Sequence, residues 1–227
     1  MNSRKKQPTC YVIGGPNGAG KTSVSLRVLP RLDYMEYVNA DAIAAALSPF
    51  QPEKSALKAG RMMLQRIHKL ADQRADFAFE TTLASRSFAP FLKRRKEEGY
   101  QVVLFYFYLK TPELAVSRVA ERVLAGGHHI PEADIRRRYR RSLQNLRHLY
   151  QPLADAWGVY DNSDREPVST EASTGTEPER LTQLSAWIKG AISEAVEINR
   201  KLGTPIYVFR DGQVVDISKE LPEQTGP

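Results

Sequence analysis

The eight residues from Gly15 to Thr22, GPNGAGKT, constrain this chain more than any other stretch. A G-x-x-x-x-G-K-T run works where a strand delivers it and a helix follows. Its backbone N–H groups then curl around phosphate oxygens, and the helix turns its positive end toward them. Both flanks are present: TCYVIGG from Thr9 reads as a short buried strand, and TSVSLRVLPRL after the loop has helical spacing. Average residue frequencies put a chance match in a chain of this length at about one per cent. Gly15, Pro16, Asn17, Gly18, Ala19, Gly20, Lys21, Thr22 and Ser23 are therefore expected to bind a nucleotide, ATP with GTP as the alternative. Lys21 adds charge at the β and γ phosphates, and the Thr22 hydroxyl is a ligand for Mg²⁺.

The rest of the chain alternates strand and helix. MEYVNAD (Met35 to Asp41) reads as a second strand followed by a short alanine-rich helix, with Asp41 at the strand exit. Helical spacing runs from Lys54 to Arg74, FAFETTL (Phe77 to Leu83) is a third strand, and Ser87 to Glu98 a helix stopped by Gly99. QVVLFYFYL from Gln101 is the strongest strand and belongs in the middle of the sheet. Thr111 and Pro112 open a helix to about Leu124, Asp134 to Leu149 forms another, and WGVYDNS (Trp157 to Ser163) is a final strand. Such alternation implies an α/β fold, a P-loop kinase-like parallel sheet with helices on both faces and ligands at the carboxyl ends of its strands.

Residues 1–163 are expected to form this core. Residues 164–179, rich in Ser, Thr, Glu and Pro, read as a mobile loop. Residues 180–227 read as an appendage: a helix to Leu202, then a β-hairpin turning at Asp211 and Gly212. No apolar run approaches the length of a membrane span, and the N-terminus has no cleavable apolar leader, so a cytoplasmic location is expected. Cys10, the only cysteine, excludes an internal disulfide and suits a buried strand position.

The formal charge of +7 is concentrated: Arg118, Arg122, Arg136, Arg137, Arg138, Arg140, Arg141 and Arg147 fall in one short region. Polyphosphate chemistry and nucleic-acid binding both ask for such groups, and an ordinary solvated helix face accounts for several of them. No RNA-reading motif with interleaved aromatics accompanies them, so a nucleic-acid binder or end-kinase ranks last. His128 and His129, adjacent and without cysteines or spaced carboxylates, do not suggest zinc. No apolar strand ending in DE or DxxG announces a motor ATPase or a switch GTPase.

Taken in order, GGPNGAGKTS, VNADAIA, FETTLASRSF, ERVLAGGHHIPEADIRRRY and YDNS resemble the zeta toxin family over roughly Thr9 to Ser163. The resemblance implies a kinase that uses ATP to phosphorylate the 3′-hydroxyl of the amino sugar in UDP-N-acetylglucosamine, starving cell-wall synthesis. A small helical antitoxin commonly neutralises such toxins. Asp41 looks like the family's catalytic base, with helix capping as its alternative role. Asn39 is placed to orient substrate from the same side of the strand. Glu80, Thr81 and Thr82 resemble the sugar-binding stretch, and Arg86 lies near it. Arg118 and Arg122 share a helix face, and with Arg136, Arg137 and Arg138 at the start of the next helix they bracket a lid. Arg122 is the first candidate to stabilise charge on the migrating phosphoryl group. A kinase of another small metabolite is the alternative within the same class.

Overall fold

A computed structural model describes residues 7–28, 35–127, 129–163, 168–172, 207–210 and 213–216. Its main sheet has six strands in the order β2-β3-β1-β4-β5-β6. β1 (Thr9–Gly14) lies between β3 (Phe77–Thr81) and β4 (Gln101–Tyr108), parallel to both. β2 (Glu36–Val38) extends the sheet beside β3, and β5 (Ala156–Asp161) beside β4, again in parallel. Strands of a parallel sheet bury both faces, which is why β4 reads as an unbroken apolar run. Val103, Phe105 and Phe107 enter one core, while Val102, Leu104 and Tyr106 enter the other.

The first core is closed by α1 (Lys21–Val28), α5 (Pro112–Leu124) and α6 (Glu132–Asn145), through Val24, Leu114, Val119, Ile135 and Tyr139. The second is closed by α3 (Pro52–Asp72) and α4 (Phe88–Glu97), through Met63, Ile67, Leu70, Phe91 and Leu92. Cys10 is fully buried in that second core, and burial pushes its thiol far above the usual cysteine value. α5 begins as its sequence implies, with the Thr111 hydroxyl accepting from the Leu114 amide and Pro112 in the first turn.

Three boundaries differ from expectation. β2 stops at Val38, so Asp41 does not belong to a strand. It sits in the first turn of α2 (Ala40–Leu47), whose N-cap is Asn39, with Oδ1 accepting from the amides of Asp41 and Ala42. The second concerns α6, which runs as α-helix only to Asn145 and continues as a π turn, Leu146–Tyr150. The third falls inside the stretch expected to be a mobile loop, where Val168–Ala172 form β6, an antiparallel edge strand on β5. Two forces hold it there: the β-branched Thr170 favours extended backbone, and Glu171 forms a fork-to-fork ion pair with Arg147 on the π turn.

Near the C-terminus, β7 (Tyr207–Arg210) and β8 (Gln213–Asp216) pair antiparallel with Arg210 opposite Gln213. The expected turn at Asp211 and Gly212 lies outside the described residues, as does the expected helix from Arg180 to Leu202. No described helix is long and apolar enough to cross a membrane.

Candidate active site

The carboxyl ends of β1, β2 and β3 meet at one edge of the sheet, and the strand order puts the phosphate loop beside its centre. Gly15 leaves β1 at φ +145°, and a Cβ there would lie 2.1 Å from the Phe107 carbonyl oxygen. Only glycine lets the chain pass that close to β4. At the other end of the loop, a Cβ on Gly20 would lie 2.5 Å from Asn162 Nδ2. Asn162 fills that space because its amide donates to the Ala19 carbonyl at 3.0 Å. The YDNS segment therefore supports the loop from behind, and Arg118 braces the segment in turn, donating to the carbonyls of Asn162 and Ser163 at 2.8 and 3.2 Å. Replacing Asn162 by Ala leaves the buried Ala19 carbonyl without this donor. The expected loss of unfolding free energy is about 1–3 kcal/mol, read from urea denaturation.

Lys21 is buried, and its ammonium donates to the Pro16 carbonyl at 2.8 Å, which folds it back over the loop. Burial pushes its pKa below the ordinary lysine value. Glu80 and Asp41 pull it back up, and Arg122 pushes it down again. Those three charges thus surround Lys21 from β3, α2 and α5.

Glu80 is the hub. Its carboxylate accepts from the Thr22 hydroxyl at 2.9 and 3.1 Å, from Asn39 Nδ2 at 3.1 Å and from the Tyr37 hydroxyl, with Lys21 Nζ 3.8 Å away. The parallel pairing of β2 with β3 makes this contact, because Val38 lies opposite Phe79 and the two chains leave the sheet together. Tyr37 was not anticipated. Its hydroxyl also accepts from Asn39 Nδ2, and burial, followed by the Glu80 charge and hydrogen bond, pushes its pKa well above the usual tyrosine value. A tyrosine on a three-residue strand carries no motif; knowing the β2–β3 register would have found it.

A cavity of about 410 Å³ opens over this cluster, lined among others by Asn17, Lys21, Asp41, Glu80, Thr81 and Thr82. The Thr81 and Thr82 hydroxyls accept from the amides of Leu83 and Ala84, which leaves each O–H able to donate to a ligand. Asn17 is buried, and its Oδ1 has no hydrogen-bond partner. Asn39 lines the cavity too, but its Oδ1 is committed to the α2 cap, so only its amide nitrogen faces Glu80.

Several expected residues are not brought to the cavity. Arg136 pairs with Glu113 and Glu132 at 2.5 and 2.7 Å, and Arg137 with Asp134 at 2.6 Å. The cavity wall is taken instead by Arg138, because successive residues on a helix point about 100° apart. Arg86 is exposed and off the cavity lining, which takes its neighbours Ser85 and Ser87. Arg118 serves carbonyls behind the loop, Ser23 is exposed on α1, His129 is exposed and His128 lies outside the described residues.

Among the described residues no group of three or more His, Cys, Asp or Glu could hold a metal. The donors that do converge, the Thr22 hydroxyl and the Glu80 carboxylate, are hard oxygens. One or two such groups suit Mg²⁺, which keeps waters and takes its remaining ligands from substrate phosphates.

Comparison with known proteins bears on the fold and on the family. A Haemophilus influenzae protein described only as uncharacterized is 32% identical over 125 residues, 55% of this chain and 88% of that protein. Among solved structures, a chain of the PezAT toxin–antitoxin system of Streptococcus pneumoniae superposes with a TM-score of 0.56 at 17% identity, covering 87% of this chain and 88% of that one. A chain of the AvrRxo1-ORF1:AvrRxo1-ORF2 complex with ATP gives 0.61 at 13% identity, covering 83% and 76%. At such identities the likeness speaks for the fold, a P-loop kinase fold. The sequence model of the zeta toxin family spans residues 1–168, from ahead of the phosphate loop to the first residue of β6, and the chain belongs to that family.

Proposed function

We propose that the protein is an ATP-dependent kinase that transfers the γ-phosphoryl group to the 3′-hydroxyl of UDP-N-acetylglucosamine. The observation that carries this reading is the single cavity shared by Lys21 of the phosphate loop, Asp41 of α2 and the Glu80-Thr81-Thr82 edge of β3. Donor phosphates and an acceptor hydroxyl would then meet between groups already in place. The Lys21 ammonium and the loop amides bind the β and γ phosphates; Thr22 and Glu80 would hold Mg²⁺, which would neutralise charge on those phosphates. Asp41 takes the proton of the 3′-hydroxyl as its oxygen bonds to the γ-phosphorus and the bond to ADP breaks. Thr81, Thr82 and Asn17 supply hydrogen bonds to the sugar, and Arg122 faces the charge that spreads over the transferred group.

Incubation with γ-labelled ATP, Mg²⁺ and UDP-N-acetylglucosamine is expected to give a labelled sugar nucleotide and ADP in equal amounts. Absence of that product from folded enzyme that still binds nucleotide would remove this acceptor. Arg61 and Arg138 both line the cavity and favour an anionic acceptor, so another phosphorylated or carboxylated metabolite is the second reading. A metabolite extract screened for newly phosphorylated species separates the two.

An antitoxin partner belongs to the same proposal, supported by family membership and by the PezAT neighbour, itself part of a toxin–antitoxin system. Nucleic acid fits less well as a target. Arg136, Arg137 and Arg147 are each neutralised by a carboxylate, so this part of the arginine-rich region is not a bare basic face.

A further inference from the structure

The loop that follows β3, from Thr82 to Ser87, has a shape its own sequence does not favour. Leu83 is fully buried at φ +55°, a left-handed conformation costly for a branched side chain. Its side chain presses on Gly14, where a Cβ would lie 2.6 Å from Leu83 Cδ1. Such a conformation persists only where the surroundings impose it. Here they do so through three backbone carbonyls. Ser142 Oγ donates to Thr82 O, Asn145 Nδ2 donates to Leu83 O at 2.8 Å, and the Tyr150 hydroxyl donates to Ser85 O. Tyr106 on β4 donates to Ser142 Oγ at 2.7 Å and fixes that hydroxyl in turn. All three holding residues are buried.

The π turn gives them their alignment. In an unbroken α-helix, positions 142, 145 and 149 share a face. The Gln151 amide bonds instead to Leu146 O, five residues back, so the turn contains one extra residue and the face passes from position 149 to position 150. Tyr150 thereby joins Ser142 and Asn145 over the loop, and Leu149 is left at the margin of the core. Arg138 lies one turn before Ser142 on the same helix and lines the cavity.

We infer that α6 and its π turn are the frame that sets the shape of the acceptor side of the cavity, with Asn145 and Tyr150 as positioning residues for acceptor recognition. The loop supplies Thr82, Ser85 and Ser87 to the cavity wall, so its shape sets where their hydroxyls stand. Because Arg138 rides on the same helix, a shift of α6 moves that arginine and the acceptor loop together. The inference deepens the kinase reading without depending on which acceptor is used.

The test uses the full-length protein, with Tyr150→Phe as the mild variant and Asn145→Ala as the stronger one. Hydrogen exchange followed by mass spectrometry is expected to speed up about tenfold in peptides covering residues 82–87, while β1 and β4 keep their protection. With the acceptor that turns over, the acceptor KM rises about three- to tenfold, while kcat and Mg-ATP affinity hold. Unchanged exchange of the loop in Tyr150→Phe overturns the inference. So does exchange that rises equally across β1 and β4, which marks a general loss of stability, and so does a fall in kcat at constant acceptor KM. Should UDP-N-acetylglucosamine accept no phosphate while the exchange pattern appears, the acceptor is wrong and the frame stands.

Discussion

Asp41→Asn is expected to lower phosphoryl transfer by about 10²- to 10⁴-fold, the range for loss of a positioned general base, and to leave Mg-nucleotide affinity unchanged. The geometry makes this an unusually clean substitution. α2 is capped by Asn39, whose Oδ1 takes the amides of residues 41 and 42, so the Asp41 carboxylate is not needed to start its helix. Asparagine has nearly the same shape as aspartate, and its amide cannot accept the proton of an attacking hydroxyl. A change at this position that leaves the cap intact belongs among substitutions worth under about 0.5 kcal/mol of stability. Three measurements together read the role: single-turnover rate, affinity for a fluorescent ATP analogue, and melting temperature. Normal turnover by the variant would remove Asp41 as the base; lost turnover with a large drop in melting temperature would mean that the carboxylate serves the fold.

The elements legible in the sequence were those that carry their own local signal. GPNGAGKT is a complete instruction for strand, loop and helix, and β4 announces a central strand because it is apolar on both faces. Thr111 and Pro112 mark the start of α5 by their own chemistry. The remainder depends on relations between distant segments. Whether Asn39 or Asp41 caps α2 is decided by where β2 ends, a three-residue strand whose length is set by pairing with β3. Tyr37 reaches Glu80 only through that pairing. Arg136, Arg137 and Arg138 look alike in sequence; the phase of α6 against the core, fixed by buried Ile135 and Tyr139, turns Arg138 to the cavity and hands the other two to Glu113, Glu132 and Asp134. The edge strand β6, VSTEA, carries no strong strand pattern of its own and finds its place through Arg147 and the free edge of β5.

The site also sets fold against function. Lys21→Met is expected to lower phosphoryl transfer by about 10²- to 10³-fold, as removal of one positioned charge-stabilising donor does. It should nonetheless cost the ligand-free protein little stability. The Lys21 ammonium is buried, and desolvation pushes its pKa below the ordinary value despite the pull of Glu80 and Asp41, so without nucleotide its charge is a burden on the fold. Methionine keeps the aliphatic stem and removes that charge. Glu80 keeps the Thr22, Tyr37 and Asn39 donors, so no carboxylate is stranded without hydrogen bonds. The sign of the pH dependence follows from linkage. Between the lowered folded pKa and the ordinary lysine value, the unfolded chain holds more protons at this site than the folded one, so stability rises with pH through that window. The melting temperature of the ligand-free wild type, taken relative to the variant, should therefore climb as the pH rises through that window toward the ordinary lysine value. Mg-ATP should raise it for the wild type by binding the folded state alone, and barely raise it for the variant. A variant that melts many degrees below the wild type at neutral pH without nucleotide would show Lys21 to be a stabilising contact, and the opposition between fold and phosphate binding at this residue would fall.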